Sequence, residues 1–463
     1  MKSVTLAGPS PRMSSFDAGF LYLERPQAPL SIGCVAVLAS ELGRDELVRH
    51  LEARLGAIPR YAQRAVPAPL ALAHPSWEDD PDFDVRNHVH RGALPSPGGD
   101  AELCEAVEEL LARPLDRTRP LWETHLLEGL HGGRSALVQK VHHCMIDGVA
   151  GAGVLEALLD RGPLAPGAAR APAVPRAGRP SGGLARLGGA LAASTAGSVR
   201  RSLGAVGVLR RPGDLARSLS HVGSWGLRLV LDGPSALPWN GPIGPRRRMA
   251  FARLTLDDAR VIRTVRGGTV NDVVLCALAG GLRRYLDAIG IELGDRPVTA
   301  IVPVSLRTPA ECHALGNRVA ALLVPLALEP AEETERLAAT CAITRRLKEA
   351  RGFSGVATLL AAADLLPPPL LAWAAGRVRL PAMASLIATN VRGPAELRYL
   401  CGRRVEALYP VVPIADGLGL GLAVLSYAGV LYVGLNADAD RVPDLEKLRA
   451  GVEESFARLR ASV

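Results

Sequence analysis

The chain has 463 residues, 48% of them hydrophobic, and carries a formal net charge of +8 at pH 7. One hydrophobic core rarely serves a chain of this length, so we expect two domains and exclude a disordered or fibrous protein. The seven cysteines are scattered and form no CxxC pair. This pattern argues against a disulfide framework or a zinc site and favours a reducing compartment.

Residues 1–160 predict a mixed α/β domain. Apolar side chains recur on one face of a helix from Asp45 to Leu55. Apolar and polar residues alternate from Ser135 to His143, which is typical of a strand. A short helix is expected from Gly151 to Leu159.

Residues 161–248 differ in composition and predict a long, partly helical linker that is rich in proline, alanine and glycine. Fourteen arginines and two aspartates give this linker a charge of +12, so the rest of the chain sums to −4. Arginines spaced among leucines and valines suit an anionic membrane surface, although a solvated tether fits the same composition. Nucleic acid is not an expected partner, because the basic residues lack interleaved aromatic side chains.

Residues 249–463 predict a second α/β domain. Val298 to Val304 has the composition of a buried strand, and Leu420 to Tyr427 with Val430 to Leu435 predicts a hairpin. After Pro443, apolar residues recur at spacings of three and four, which predicts a closing helix. Two α/β halves of similar size suggest a duplicated architecture.

No clean run of about 20 apolar residues predicts a membrane-spanning helix. The nearest candidate, Val356 to Ala375, is interrupted by Asp364 and by three prolines. The N-terminus lacks the apolar centre of a signal peptide. We therefore expect a cytoplasmic protein, and leave open its peripheral attachment to the inner face of the cell membrane or to lipid inclusions.

One segment carries recognisable chemistry: His142 and His143 end an apolar run, and Asp147 and Gly148 follow. An imidazole has a reference pKa of about 6.5, so it is available as a base near neutral pH. Successive strand residues point to opposite faces, so the two histidines do not easily serve one site. His143, at the strand end, is the predicted general base, and His142 is its support.

Asp147 could orient the imidazole directly or brace the turn. We favour the brace, because no serine nucleophile motif such as GxSxG accompanies it. Gly148 would permit a backbone conformation that is closed to other residues. Three alternatives are weaker: two ordinary core histidines, a Cys144 nucleophile, and a metal site on the histidines and Asp147. We expect no metal and no cofactor.

The HHxxxDG form of this segment is shared by CoA-dependent acyltransferases and peptide-synthetase condensation domains. Further segments resemble, in order, the motifs of the bacterial wax ester synthase/acyl-CoA:diacylglycerol acyltransferase family. They are Met13 to Asp17 with Phe20-Leu21, Pro114 to Arg117 with Arg119-Pro120-Leu121-Trp122-Glu123 (PLDRxRPLWE), Thr269 to Leu275, Pro303 to Arg307, Gly316 to Val319, and Thr389 to Pro394.

The resemblance implies an α/β fold of two chloramphenicol-acetyltransferase-like subdomains with a tunnel between them. It implies transfer of a fatty acyl group from acyl-CoA, as a substrate, to diacylglycerol or to a long-chain alcohol. The products would be triacylglycerol or wax ester, formed by direct attack on the thioester with His143 as the general base.

The resemblance also assigns roles to other residues. Asn271 would lie near the active site, where we expect it to donate to the developing oxyanion, and Asp272 would be structural. The expected substrate-binding residues are Pro120, Leu121, Trp122, Asn390, Gly393 and Pro394. For Trp122, plain core packing is an equally good interpretation.

Three positions depart from the family pattern. Arg392 stands where the motif SNVPGP has its first proline, and Leu418 and Gly421 stand where polar residues are expected. These departures affect the expected choice of acceptor more than the reaction. Two other functions stay open: a related transferase that uses a carrier-protein donor, and a non-catalytic lipid-binding or lipid-droplet coat protein.

Overall fold

A computed structural model describes residues 12–163, 237–294, 297–305, 319–349, 367–375 and 384–463. Most of the basic linker lies outside these residues, and with it the helical pattern expected there. Two of the family motifs are also covered only in part, since residues 306–307 and 316–318 are not described.

The helices of the described residues are α1 (Ser15–Leu23), α2 (Arg44–Arg54), α3 (Asp100–Ala112), α4 (Gly148–Leu158), α5 (Leu256–Arg266), α6 (Val270–Ala288), α7 (Glu333–Glu349), α8 (Pro368–Ala375) and α9 (Leu445–Ala461). The strands are β1 (Ser31–Leu38), β2 (Gln63–Val66), β3 (Ser76–Asp79), β4 (Val89–Ala93), β5 (Trp122–Leu130), β6 (Arg134–His142), β7 (Arg247–Thr255), β8 (Thr299–Ser305), β9 (Val319–Pro325), β10 (Leu386–Arg392), β11 (Tyr399–Leu400), β12 (Arg403–Val411), β13 (Leu420–Tyr427) and β14 (Val430–Asp438).

Two six-stranded mixed sheets organise these elements into two lobes. The first lobe has the strand order β11-β12-β1-β6-β5-β4, and the second has β7-β14-β13-β10-β8-β9. Only the β4/β5 pair is parallel in the first sheet, whereas β10 runs parallel to both β8 and β13 in the second. The predicted mixed α/β architecture with two halves is therefore confirmed.

Several predicted elements are confirmed close to their expected bounds. The hairpin of β13 and β14 turns at Ala428 and Gly429, both with positive φ. The strand expected near residue 300 is β8. The apolar residues of α9 that recur at spacings of three and four are all buried in the hydrophobic core of the second lobe. They are Leu445, Leu448, Val452, Phe456 and Leu459.

The expected division at residues 160 and 249 is wrong in one respect. β11 and β12 lie late in the chain, yet they complete the first sheet, where β12 pairs antiparallel with β1. The sequence pattern of a strand shows its own faces but not the sheet that it joins. β7 also begins at Arg247, two residues before the expected start of the second domain at residue 249.

β12 packs against the second lobe at a very close approach. A Cβ atom at Gly434 of β14 would lie 1.9 Å from the Pro410 carbonyl oxygen of β12. Only glycine fits there, so the crossing strand is held tightly against the second sheet. Within the described ranges, no helix combines the length and apolar character needed to span a membrane.

Candidate active site

The last residue of β6 and the connection that follows it to α4, residues 142–147, are here called the histidine turn. The strand was expected to include His143, but the chain reverses one residue earlier, because the Met145 N–H donates to the His142 carbonyl at 2.9 Å. The His143 N–H donates to the Leu30 carbonyl at 2.9 Å. The turn itself, rather than strand alternation, therefore separates the two imidazoles.

His142 is fully buried. Its Nδ1 accepts the Cys144 N–H at 3.1 Å, so the ring proton lies on Nε2. That Nε2 is 3.2 Å from Glu24 Oε1, although the contact lacks the alignment of a full hydrogen bond. His142 therefore faces a carboxylate inside the first lobe.

The Glu24 side chain is only 4% exposed. It accepts hydrogen bonds from the Leu30 N–H at 3.0 Å and from Arg117 Nη2 at 2.7 Å. Burial opposes ionisation, but attraction to His142 and the bonds from Arg117 and Leu30 outweigh it and lower the pKa of Glu24 to about 2. The PLDRxRPLWE motif thus reaches the histidine turn through Arg117, a link that the sequence alone did not reveal.

The PLW part of the motif lies beside the turn, within the core. The Leu121 carbonyl accepts the His142 N–H at 2.9 Å. Trp122 donates to the Tyr61 carbonyl at 2.8 Å and stacks on His88, with ring centroids 4.5 Å apart. Pro120, Leu121 and Trp122 are all buried, and none of them lines the cavity described below. The structure therefore does not bring the three to the expected substrate site, and for Trp122 it favours core packing.

Asp147 is the N-cap of α4, and its Oδ1 accepts the Ala150 N–H at 2.8 Å. Capping of this kind fixes where the helix begins. Gly148 was expected to permit a backbone conformation closed to other residues, but it does not adopt one, since its φ is not positive. Glycine is needed here because the neighbouring lobe leaves no room for a side chain. A Cβ at Gly148 would lie 2.9 Å from Val391 Cγ2 of β10.

The second lobe contributes Asn271 from the first turn of α6. Asn390 of β10 donates its Nδ2 to Asn271 Oδ1 at 3.4 Å, which leaves the Asn271 amide nitrogen to donate elsewhere. Asp272 is buried, and its Oδ2 accepts the Thr269 N–H at 2.8 Å in a capping box. Its Oδ1 accepts from the Thr344 hydroxyl at 2.8 Å. Asp272 therefore holds α6 in place.

Between the lobes lies an apolar cavity of about 720 Å³, a size typical of small-molecule sites. His143, Asp147 and Gly148 line it from the first lobe, and Asn271 and Asn390 from the second. Most other lining side chains are apolar, among them Phe20, Ile32, Val141, Ile301, Leu323 and Leu425.

A second cleft of about 900 Å³ borders this cavity. It shares Asn271, Asn390 and Arg392 with the cavity and adds Gly393 and Pro394. Of the departures from the family pattern, Arg392 thus lines both spaces and Leu418 lines the cavity. Gly421 packs closely instead, since a Cβ there would lie 2.6 Å from Val412 Cγ1.

Phe20 of α1 is a site residue that the sequence analysis did not assign. Its ring stacks on the His143 imidazole with centroids 4.1 Å apart and planes 4° apart. Phe16, one turn earlier, meets Phe20 edge to face at 5.2 Å. The only signal in the sequence was that both lie in the N-terminal family motif. Phe20 is therefore placed to fix the plane of the imidazole.

A possible metal-ligand group lies away from this site. In the part of the chain that the structure describes, His90, Glu123 and His125 bring one ligand atom each within 4.8 Å of one another. None of the three lines the apolar cavity. The group therefore gives the site no metal chemistry, and the expectation of no metal and no cofactor stays a prediction.

Two mixed sheets, a cavity between them and an HHxxxDG turn on its wall define a two-lobed acyltransferase of the chloramphenicol-acetyltransferase-like class. The fold is similar to that of the wax ester synthase/diacylglycerol acyltransferase from Marinobacter aquaeolei VT8. The TM-score is 0.68 at 25% identity, over 97% of this chain and 99% of that one. The first condensation domain of the calcium-dependent antibiotic synthetase shares the fold alone, with a TM-score of 0.61 at 18% identity over 98% of this chain and 97% of that one.

The family profile "Wax ester synthase/diacylglycerol acyltransferase catalytic domain" matches residues 13–274, and "WS/DGAT C-terminal domain" matches residues 315–460. A probable diacylglycerol O-acyltransferase of Mycobacterium tuberculosis (strain ATCC 25618 / H37Rv) is 36% identical over 97% of this chain and 96% of that protein. The chain belongs to the wax ester synthase/diacylglycerol acyltransferase family. The expected fold and the expectation of an acyltransferase are confirmed, and the non-catalytic coat protein is not supported.

The Glu24 contacts predict a specific loss of stability. Because the pKa of Glu24 is depressed in the folded protein, its stabilisation is complete above about pH 4.5 and is lost as the pH falls towards about 2. We expect Glu24→Gln to lower the free energy of unfolding at pH 7 by about 3 kcal/mol and to remove this part of the pH dependence. Denaturant unfolding between pH 2 and pH 7 measures both effects.

Glu109→Gln is the matched control, because Glu109 forms an exposed pair with Arg113 at 3.5 Å. Such pairs contribute little, so its effect should stay below about 0.5 kcal/mol. Equal effects of the two substitutions would show that Glu24 is not a structural anchor.

The stack on His143 predicts an effect of Phe20 on turnover. We expect Phe20→Leu to lower kcat about three- to tenfold, because the imidazole loses its aromatic support, while KM changes little. Phe20→Tyr keeps the ring and should restore most of the turnover. Steady-state kinetics with a fixed acyl donor measures the effect, and Phe83→Leu is the control, because Phe83 packs against the ring of His88 and does not line the cavity. A Phe20→Leu enzyme with unchanged kcat would contradict a positioning role.

Proposed function

We propose that this enzyme transfers a fatty acyl group from acyl-CoA to the hydroxyl group of diacylglycerol or of a long-chain alcohol. The observation that carries the proposal is the position of His143 on the wall of an apolar cavity that both lobes enclose. The names of the relatives support it, since one is a probable diacylglycerol O-acyltransferase and another also a wax ester synthase.

In the proposed reaction, the acceptor hydroxyl oxygen attacks the thioester carbonyl carbon while His143 takes the hydroxyl proton. The C–S bond then breaks, an oxygen ester forms, and the proton on His143 passes to the departing CoA thiolate. No covalent acyl-enzyme is formed. Cys144 is an unsuitable nucleophile, because burial raises the pKa of its thiol well above the ordinary value.

Asn271 is the proposed donor to the oxyanion that forms on the thioester carbonyl. Its Oδ1 accepts from Asn390, so the Nδ2 hydrogens remain for a substrate oxygen. One such donor in a water-poor site typically contributes about 10²–10³-fold to the rate. In this assignment Asp147 and Gly148 set the histidine turn, and Asp272 sets the start of α6.

The apolar lining suits the hydrocarbon chains of both substrates. Leu418, where the family pattern has a polar residue, extends this lining. The Leu418 side chain offers no hydrogen bond to an ester oxygen, so this position does not favour diacylglycerol over a plain alkyl chain. We therefore propose that both triacylglycerol and wax ester are products.

His143→Ala tests the base directly. We expect kcat with palmitoyl-CoA and diolein to fall by about 10²–10⁴-fold, because the acceptor hydroxyl loses its proton acceptor. Release of CoA thiol measures turnover, and circular dichroism confirms that the variant is folded. His131→Ala, an exposed histidine in the turn between β5 and β6, is the control and should keep full activity. A folded His143→Ala enzyme with near-wild-type turnover would reject the assignment.

A carrier protein is the alternative source of the acyl group, since the fold is shared with condensation domains. The same assay with palmitoyl-carrier protein in place of palmitoyl-CoA decides between the donors. A higher kcat/KM for the carrier-bound acyl group would replace CoA in the proposal.

We also propose a peripheral location on lipid surfaces of the cytoplasm, such as the inner face of the membrane or a lipid inclusion. The acceptors dissolve in lipid, and the linker of residues 161–248 carries a charge of +12. Basic residues close to an anionic surface contribute about 1 kcal/mol each to binding.

Co-sedimentation with anionic phosphatidylglycerol vesicles tests the linker. Replacing six of its arginines by glutamine should weaken binding at least tenfold and remove most of its salt dependence. The six are Arg186, Arg200, Arg201, Arg210, Arg211 and Arg217. Retained activity on detergent-dispersed diolein shows that the variant is intact. Unchanged vesicle binding would identify the linker as a simple tether.

A further inference from the structure

The cleft that borders the apolar cavity is strongly basic, and we call it the arginine cleft after Arg260, Arg263 and Arg392. The first two lie three residues apart on α5, so they share a face of that helix. Arg392 is the last residue of β10, across the cleft. All three residues are exposed.

The charge of this cleft is poorly balanced by its own walls. Among the lining residues that the structure describes, Asp257 is the one carboxylate, and it lies 2.8 Å from Arg260 in an exposed pair. Three arginines and one aspartate give the lining a formal charge of +2. An exposed pair of this kind is weak, so Arg260 can exchange Asp257 for a stronger anion at little cost.

The arginine cleft and the apolar cavity meet at common residues. Asn271, Asn390 and Arg392 line both spaces. A ligand whose reacting carbonyl lies at Asn271 can therefore place an apolar chain on one side and an anionic group on the other. Acyl-CoA has this form: the acyl chain and the phosphate groups lie at opposite ends of the pantetheine arm.

We propose that the arginine cleft binds the phosphate groups of the acyl-CoA donor, an inference that rests on the proposed function. Guanidinium groups match phosphate oxygens in geometry and charge. Arg392 occupies a position where the family motif has proline, so this chain has one cationic contact that the motif lacks. The inference therefore assigns a role in donor binding to a residue that departs from the family pattern.

Binding of free CoA tests the cleft without any turnover. We expect Arg392→Gln, and separately Arg260→Gln with Arg263→Gln, to raise the Kd of CoA about tenfold, because charge-assisted hydrogen bonds to phosphate are lost. Arg392→Lys should restore part of the affinity. Arg458→Gln, which removes an exposed arginine on α9, is the matched control and should leave the Kd unchanged.

Kinetics with two acyl donors shows whether the arginines contact the nucleotide part of CoA or another part of the donor. The KM for palmitoyl-CoA should rise about tenfold in Arg392→Gln with kcat within about twofold, whereas the KM for S-palmitoyl-pantetheine, which lacks the phosphates of CoA, should not change. A wild-type preference for CoA over dephospho-CoA that the variant loses would point to the 3′-phosphate. Equal effects on both donors, or no effect on either, would overturn the proposal.

A lipid headgroup also carries phosphate, and a vesicle assay separates the two sources. If Arg392→Gln weakens binding to phosphatidylglycerol vesicles but not to CoA, the cleft binds a headgroup and the proposal is wrong. Failure of the proposed function gives a different result. If CoA binding depends on the arginines but no acyl transfer occurs, the proposed function is refuted and the phosphate-binding role of the arginine cleft is supported. If acyl transfer occurs with unchanged KM in the arginine variants, the phosphate-binding role is refuted and the proposed function is supported.

Discussion

The Glu24 carboxylate is almost completely removed from water and yet stays ionised, and the histidine turn is built around it. A buried charge costs several kcal/mol unless other groups replace the lost water. Here Arg117, the Leu30 N–H and His142 replace it, and each comes from a different part of the first lobe. The carboxylate therefore joins the end of α1, the start of β1, the PLDRxRPLWE segment and the end of β6 at one point.

This arrangement gives the two histidines different environments. His142 accepts the Cys144 N–H at one ring nitrogen and directs the other towards Glu24, and it does not line the cavity. His143 is fixed through its backbone N–H and through the face of its ring, against Leu30 and Phe20. The stack on Phe20 thus keeps the plane of the His143 imidazole constant on the cavity wall.

The second constraint is the exchange of strands between the lobes. Because β11 and β12 complete the first sheet, the chain crosses from the second lobe to the first and back again before β13. Gly434 lets β12 approach β14 closely, so the crossing holds the two sheets at a fixed separation. The site depends on that separation, since His143 belongs to the first lobe and Asn271 to the second. Neither lobe would form the cavity alone.

Local patterns in the sequence were sufficient for the hairpin of β13 and β14, for the apolar stripe of α9 and for the position of His143 in a cleft, because periodicity and short motifs determine those features. They were insufficient for Glu24 and Phe20, because Glu24 meets Arg117 and His142, which lie 93 and 118 positions away, and Phe20 meets His143, 123 positions away. Gly148 shows the same limit at one residue. The motif includes a glycine at this position, but the sequence does not show why. The structure does, because a Cβ atom at Gly148 would lie 2.9 Å from Val391 Cγ2 on the opposite lobe.

The arrangement of the two lobes also explains why the site has an apolar cavity next to a basic cleft. The inner surfaces of two packed lobes are apolar, so the space between them favours hydrocarbon and excludes water. One face of α5 and the end of β10 line the cleft at the margin of that space, where charged side chains remain hydrated, and there the chain carries Arg260, Arg263 and Arg392. A thioester held at Asn271 and Asn390 would lie at the boundary between the two environments. After transfer, the charged product would belong to one side and the neutral ester to the other, so the chemistry itself would separate the products.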